Sequence, residues 1–223
     1  GYGYTVATEM YSAGIDRLTH QPLSFSVSET TEGVHIHIID AELMGKGEKE
    51  KKDLYIEGVQ NNGIINHYEY IINSEGTIEI RHVLKPEGKM PLWFPRIGLT
   101  LTVSDALDQV KWYGRGPQEN YPDRKTGYPM GIYASTVQAM YEPYLMPQDY
   151  GLRTDVRWLQ LTTDKGIGLQ FKMNEWFNFN IYPYSTDNLT KAMYTYQLQK
   201  QKGMTLNLDY ATTGVGCTAR GVF

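Results

Sequence analysis

Alternation of apolar and polar residues with a period of two runs through most of this chain and constrains its fold more than any other feature. Leu23-Ser24-Phe25-Ser26-Val27-Ser28 and Val34-His35-Ile36-His37-Ile38 alternate without interruption, as strands do when one face turns inward. Gly33 between them marks a turn, so the two runs predict a hairpin. Further strands are expected at 66–72, 77–84, 97–103, 155–162, 166–173, 177–182, 193–199 and 205–210, with Ser74-Glu75-Gly76 and Pro86-Glu87-Gly88 as turns. One helix is predicted, capped by Ser185 and running to Ala192. Long amphipathic helices do not alternate with the strands, which excludes a β/α barrel or a dinucleotide fold. The expected fold class is all-β: a large antiparallel β-sandwich with one short helix. The 18 tyrosines, against six Phe and four Trp, fit β-structure and surfaces that stack on rings.

Charge and cysteine content narrow the function classes. A net charge of −4 over 223 residues supplies no basic footprint for nucleic acid or an anionic membrane. Cys217 is the single cysteine, so neither a disulfide framework nor any zinc cluster is expected within the chain. No apolar run approaches the roughly 18 residues of a membrane-spanning helix. The length admits one large β domain or two small ones; we expect one domain over 1–223. Gly1-Tyr2-Gly3 at one end and Phe223 at the other read as cuts, which predicts a piece of a longer protein trimmed at both ends. The compartment, cytoplasmic or periplasmic and secreted, stays open.

The run Lys46-Gly47-Glu48-Lys49-Glu50-Lys51-Lys52-Asp53 reads as a solvated hairpin tip. Segment 114–151 is rich in proline and glycine and reads as long ordered loops, which in compact domains are functional or packed. His35 and His37 share one strand face, but no second His/Cys cluster supplies further ligands, so a polar outer face is expected and no metal site. Neither a phosphate cradle nor a Gly-x-Ser-x-Gly elbow is present, and Cys217 reads as a small apolar filler. The densest polar constellation is Gly116-Pro117-Gln118-Glu119-Asn120-Tyr121-Pro122-Asp123-Arg124. Such planar polar groups beside aromatic rings suit either a sugar's hydroxyls and C–H face or a buried network pinning a loop.

Trp112-Tyr113-Gly114-Arg115-Gly116-Pro117-Gln118-Glu119-Asn120-Tyr121-Pro122-Asp123-Arg124 resembles the W-x-G-x-G-P-x-E-x-Y-x-D-R signature of the C-terminal small-chain domain of glycoside hydrolase family 2 β-galactosidases. The resemblance continues through Tyr141-Glu142-Pro143-Tyr144-Leu145-Met146-Pro147-Gln148-Asp149-Tyr150-Gly151-Leu152-Arg153, and Ala13-Gly14-Ile15-Asp16 with Leu18 is similar to the family's entry into the domain. Two departures stand out. Gly221 occupies the position of the family's loop tryptophan, and Tyr194 that of a histidine.

The resemblance implies a galactose-mutarotase-like β-sandwich that is itself non-catalytic. Both catalytic glutamates would reside in a separate β/α barrel, and the Mg and Na ions often used by the family would be bound by other domains. No catalytic residue is therefore assigned in this chain. Gln118, Glu119, Asn120, Tyr121, Asp123, Arg124, Arg153 and Tyr194 are the candidates for the sugar rim or for a loop network. Implied partners are the barrel and other domains of the parent enzyme, a galactoside substrate and further copies of a homo-oligomeric parent. The alternatives are a carbohydrate-binding module and an aldose mutarotase, the latter opposed by the absence of histidine beyond His82.

Overall fold

The computed structural model describes residues 13–45, 62–91 and 94–213, and the chain divides into two compact units, 1–93 and 94–223. The charged run at 46–53, Cys217 and Gly221 lie outside the described residues. The first unit is a meander of four antiparallel strands, β1 (Thr19–Thr30), β2 (Gly33–Leu43), β3 (Gly63–Ile72) and β4 (Ile78–Glu87), hydrogen-bonded in that order. The expected hairpin forms, closing on the Thr30–Gly33 pair with Ser26 opposite His37 and Val27 opposite Ile36. Because side chains alternate across a sheet, this register separates two faces. Phe25, Val27, Ile36, Ile38, Tyr68, Tyr70, Ile78 and Ile80 share one; Ser26, Ser28, His35, His37, Glu69 and Arg81 share the other. The turn from β3 to β4 is held by Asn73, whose side-chain oxygen accepts from the backbone N–H groups of Glu75 and Thr77 at 3.0 Å each.

The second unit holds β5 (Arg96–Val103), β6 (Gln109–Arg115), β7 (Met130–Thr136), β8 (Arg153–Thr162), β9 (Gly168–Tyr182) and β10 (Met204–Thr212). Their order in the sheet is β5-β10-β9-β8-β6-β7, with every pair antiparallel. One face of this sheet carries the core of Val110, Trp112, Val156, Leu159, Leu161, Phe177, Phe179, Ile181, Leu206 and Leu208. Burying each such side chain contributes about 1.5–3 kcal/mol. Where 177–182 of β9 pairs with β10, both faces are buried. Between the apolar residues of β9 and β10 stand Asn178, Asn180, Tyr182, Thr205, Asn207 and Asp209, all buried too. Polar side chains shut away from water must find partners: Asn180 and Tyr182 find theirs at Asp149 and Tyr150, Asn178 at Asp155 and Thr212, and Thr205 at the Tyr184 carbonyl.

The all-β antiparallel expectation holds. The helix forms as α1 (Thr186–Lys191), its first turn capped by Ser185 Oγ accepting from the Asn188 N–H at 3.1 Å. Four details of the sequence reading change. The strands expected at 166–173 and 177–182 are one strand, β9, which begins at Gly168; a bulge, with Lys172 opposite Trp158 but Phe177 opposite Val156, breaks the alternation without breaking the strand. Residues 193–199 are not a strand but hold a 3₁₀ turn at Thr195–Gln197, because Gln197 Oε1 accepts from the N–H groups of Met193 and Tyr194 and closes it. Segment 114–151 is not all loop, since β7 crosses it as an edge strand whose outward Met130 and Ile132 hide the usual pattern. Finally, β6 is a strand beyond those expected, with Val110, Trp112 and Gly114 alternating inward.

Candidate functional site

The motif that begins at Trp112 leaves β6 and folds back over the sheet. Trp112 is fully buried; its indole N–H donates to the Arg115 carbonyl at 3.0 Å, its edge meets Phe179, and the Arg153 guanidinium lies 5.3 Å from its ring centre. A Cβ at Gly116 would stand 2.8 Å from the Tyr133 ring and 3.0 Å from that of Trp112, so only glycine lets the chain turn against the two aromatics. Asp155 accepts from Arg115 Nε at 2.5 Å and from Lys125 Nζ at 2.9 Å. Burial opposes ionisation of Asp155, but these two cations outweigh it and hold the carboxyl below its usual range.

Glu119 is the node of the site. It is 5% exposed, and both oxygens are saturated. Oε1 accepts from Arg124 Nη2 at 3.1 Å and from the Tyr144 hydroxyl; Oε2 accepts from the Tyr121 hydroxyl at 3.1 Å and the Gly151 N–H at 2.8 Å. Gly151 sits at φ 76°, a conformation that glycine adopts without penalty and that brings its N–H to the carboxylate. Asn120 stitches the same loop to β8: its own N–H donates to the Leu152 carbonyl, and its side-chain oxygen accepts from Thr154 N–H and Oγ1. Burial and the neighbouring Glu119 push the Tyr121 hydroxyl far above its ordinary value and that of Tyr144 up to about 12, so both phenols stay neutral donors. Arg153 is buried, which lowers its pKa to about 10 against the pull of Glu119; it remains a cation near neutrality.

A second node lies beside the first. Asp149 accepts from Asn180 Nδ2 at 2.9 Å, the Tyr182 hydroxyl at 3.1 Å and Arg96 Nη2 at 3.3 Å. Asn207 then bridges Asn180 and Tyr182. Asp209 lies 3.3 Å from Arg96 but without hydrogen-bonding geometry, and burial pushes its carboxyl up to about 7 despite that cation.

Of the eight sequence candidates, Glu119, Tyr121 and Arg124 share hydrogen bonds, Asn120 bonds instead to β8, and Arg153 stacks on Trp112. Gln118 contributes its carbonyl to Asn120, while Asp123 lies exposed in the Tyr121–Arg124 turn. Tyr194 stands apart, 57% exposed and stacked on Tyr196 at 5.4 Å. Asp149, Tyr144 and Gly151 lie in the second motif stretch but are not among the eight, because their roles depend on partners 25 to 53 residues away. A cavity of about 220 Å³ near Asp105, Tyr141, Tyr184 and Lys200 involves none of the eight. Nor does Glu119 offer an oxygen cage for Mg or Na, since its lone pairs face N–H and O–H donors.

These features define an antiparallel all-β protein in which loops rich in proline and tyrosine are tied together by one saturated carboxylate and joined to a six-stranded sheet through Asn120 and Asp149. The model of the β-galactosidase small chain matches residues 8–222, and the chain belongs to that family. It is 38% identical to a β-galactosidase of Priestia megaterium over 147 residues, 66% of this chain and 14% of the relative. A Vibrio cholerae β-galactosidase is 31% identical over 207 residues, 92% of this chain and 18% of the relative. One from Pseudoalteromonas haloplanktis is 34% identical over 148 residues, 66% and 14% of the two proteins. The chain thus spans less than a fifth of the length of these relatives.

Proposed function

We propose that this chain is the non-catalytic small-chain region of a β-galactosidase acting on terminal β-D-galactosides, and that it shapes the rim of the sugar pocket and the assembly of the parent enzyme. The observation that carries this reading is the saturation of Glu119. A retaining glycosidase needs one protonated carboxyl and one nucleophilic carboxylate facing the sugar about 5–5.5 Å apart. Glu119 instead turns four lone-pair directions to internal donors, and Asp149 and Asp155 are engaged in the same way. Such carboxylates set the shape of a loop and leave the chemistry to glutamates in a barrel elsewhere in the parent. Mg and Na, where the parent uses them, then belong to those other domains.

The parallel rings of Tyr194 and Tyr196, the latter 80% exposed, favour a second reading as a carbohydrate-binding module, because they offer a flat apolar face to a sugar ring. The mutarotase reading lacks comparable support: the histidines lie on β1 to β4 of the first unit, and the Glu119 network holds none.

One experiment separates these readings. The 223-residue chain is assayed with a chromogenic β-galactoside and titrated with galactose, lactose and longer glycans. The expected result is no turnover and no binding tighter than millimolar, because half a pocket does not offset the entropy of capturing a small polar ligand. Turnover by the chain alone overturns the non-catalytic reading. Submillimolar glycan binding that Tyr196→Ala abolishes transfers support to the module.

A further inference from the structure

The polar face of the first sheet carries a file of side chains that the function proposed above leaves unused. His35 and His37 stand two residues apart on β2, so both rings share one face. Strand pairing sets Glu69 of β3 directly opposite His37, and Arg81 of β4 opposite Glu69. Sequence reading found the two histidines but no third ligand; the third comes from the neighbouring strand. Glu69 Oε1 lies 3.9 Å from His35 Nδ1 and 3.8 Å from His37 Nε2, and one ligand atom from each residue falls within 4.8 Å of the others.

These separations exceed hydrogen-bonding reach, so three metal-ligating groups converge on one point without bonding to each other. They also lie slightly wider than the spacing around a shared ion with bonds of about 2.0–2.2 Å. Small rotations close that gap, and His37, whose side chain is 51% exposed, has room to make them. The remaining contacts fit a metal site as well. Arg81 Nη1 holds Glu69 Oε2 at 3.2 Å, which leaves Oε1 aimed at the two rings, and Glu79 at 2.8 Å offsets the Arg81 charge. His35 Nε2, on the far side of its ring, is buried without a hydrogen bond and has Glu32 Oε2 3.9 Å away. A carboxylate behind a ligating imidazole is the usual outer partner of a metal-bound histidine.

We propose that His35, His37 and Glu69 bind a divalent transition-metal ion of the zinc class, linking β2 to β3, with water completing the coordination. Two imidazoles and a single carboxylate suit zinc or its first-row neighbours, whereas Mg²⁺ and Ca²⁺ require oxygen cages.

The test is calorimetric titration of the chelator-treated 223-residue chain with ZnCl₂ at pH 7.5, beside MgCl₂. One zinc per chain and no magnesium binding are expected. His37→Ala and Glu69→Gln, both at sites open to solvent, should each weaken zinc by at least about 10–100-fold, the loss that removing even an outer partner produces. Circular dichroism checks that both variants keep their strands. As a second readout, Co²⁺ should give visible absorption bands with the parent chain that vanish in His37→Ala. Absence of binding at millimolar zinc, or one-to-one binding unchanged in both variants, would overturn the assignment.

Discussion

Replacing Glu119 tests the view that one carboxylate locks the motif loop to the loop that holds Tyr144 and Gly151. In Glu119→Gln the side chain keeps its shape but exchanges one acceptor for an NH₂ group. The amide has two possible orientations. With its nitrogen in the place of Oε2, it would face the Gly151 N–H, a donor that cannot turn away. The favoured orientation therefore puts the nitrogen in the place of Oε1, facing Arg124 and the Tyr144 hydroxyl. That hydroxyl can rotate to accept, and Arg124, with a side chain 56% exposed, can turn to water, so its lost ion pair costs only about 0–1 kcal/mol. The bonds from Gly151 and Tyr121 survive but lose their charge assistance, at about 1 kcal/mol together. The sum is about 1–2 kcal/mol. Glu119→Ala also strands the buried Gly151 N–H, adding about 1–3 kcal/mol, for a total of about 2–5 kcal/mol. Thermal unfolding followed by circular dichroism should show a drop of about 2–8 °C for the glutamine variant and roughly twice that for alanine. Gln118→Ala, on an exposed side chain, should stay within about 0.5 kcal/mol of the parent. Glu119 variants indistinguishable from that control would refute the locking role.

Two further predictions concern the sheet beneath the loop. The Asp209 carboxyl is raised to about 7 in the folded chain against about 3.9 unfolded, so the folded state binds the extra proton and stability falls as pH rises from about 4 to 7. Asp209→Asn should therefore gain on the parent across that window by on the order of a few kcal/mol, read as urea midpoints at pH 5 and pH 8; a pH-independent difference would contradict the sign. Trp112→Ala empties the contact between Phe179 and the Arg153 guanidinium and should cost about 3–5 kcal/mol in urea unfolding, with a loss below 1 kcal/mol counting against its place in the core.

What could be read from the chain depended on how far apart the cooperating residues lie. The β1–β2 hairpin and the Ser185 cap were legible because their determinants fall within a few positions of one another. Glu119, Tyr121 and Arg124, which share hydrogen bonds, are likewise near neighbours in sequence. The β9 bulge and the 3₁₀ turn at Thr195–Gln197 were not legible, since alternation cannot distinguish a bulged strand from two strands, nor a side chain that closes a turn from one that faces solvent. Tyr194 was grouped with the cluster on resemblance alone, and the structure sets it apart beside Tyr196.

By itself the sequence determined the class of structure and the composition of its faces: period-two patterning dictates strands, and it dictates which residues of each strand look the same way. Only the tertiary structure decided which strands are neighbours. The same alternation is compatible with many sheet orders, and it is pairing that places β10 between β5 and β9 and Glu69 across from His37. The same holds for the Tyr144 hydroxyl and the Gly151 N–H, which reach Glu119 from 25 and 32 residues away. Hydrogen bonds and metal ligation act over about 2–3 Å, so their partners are chosen by the path of the folded chain.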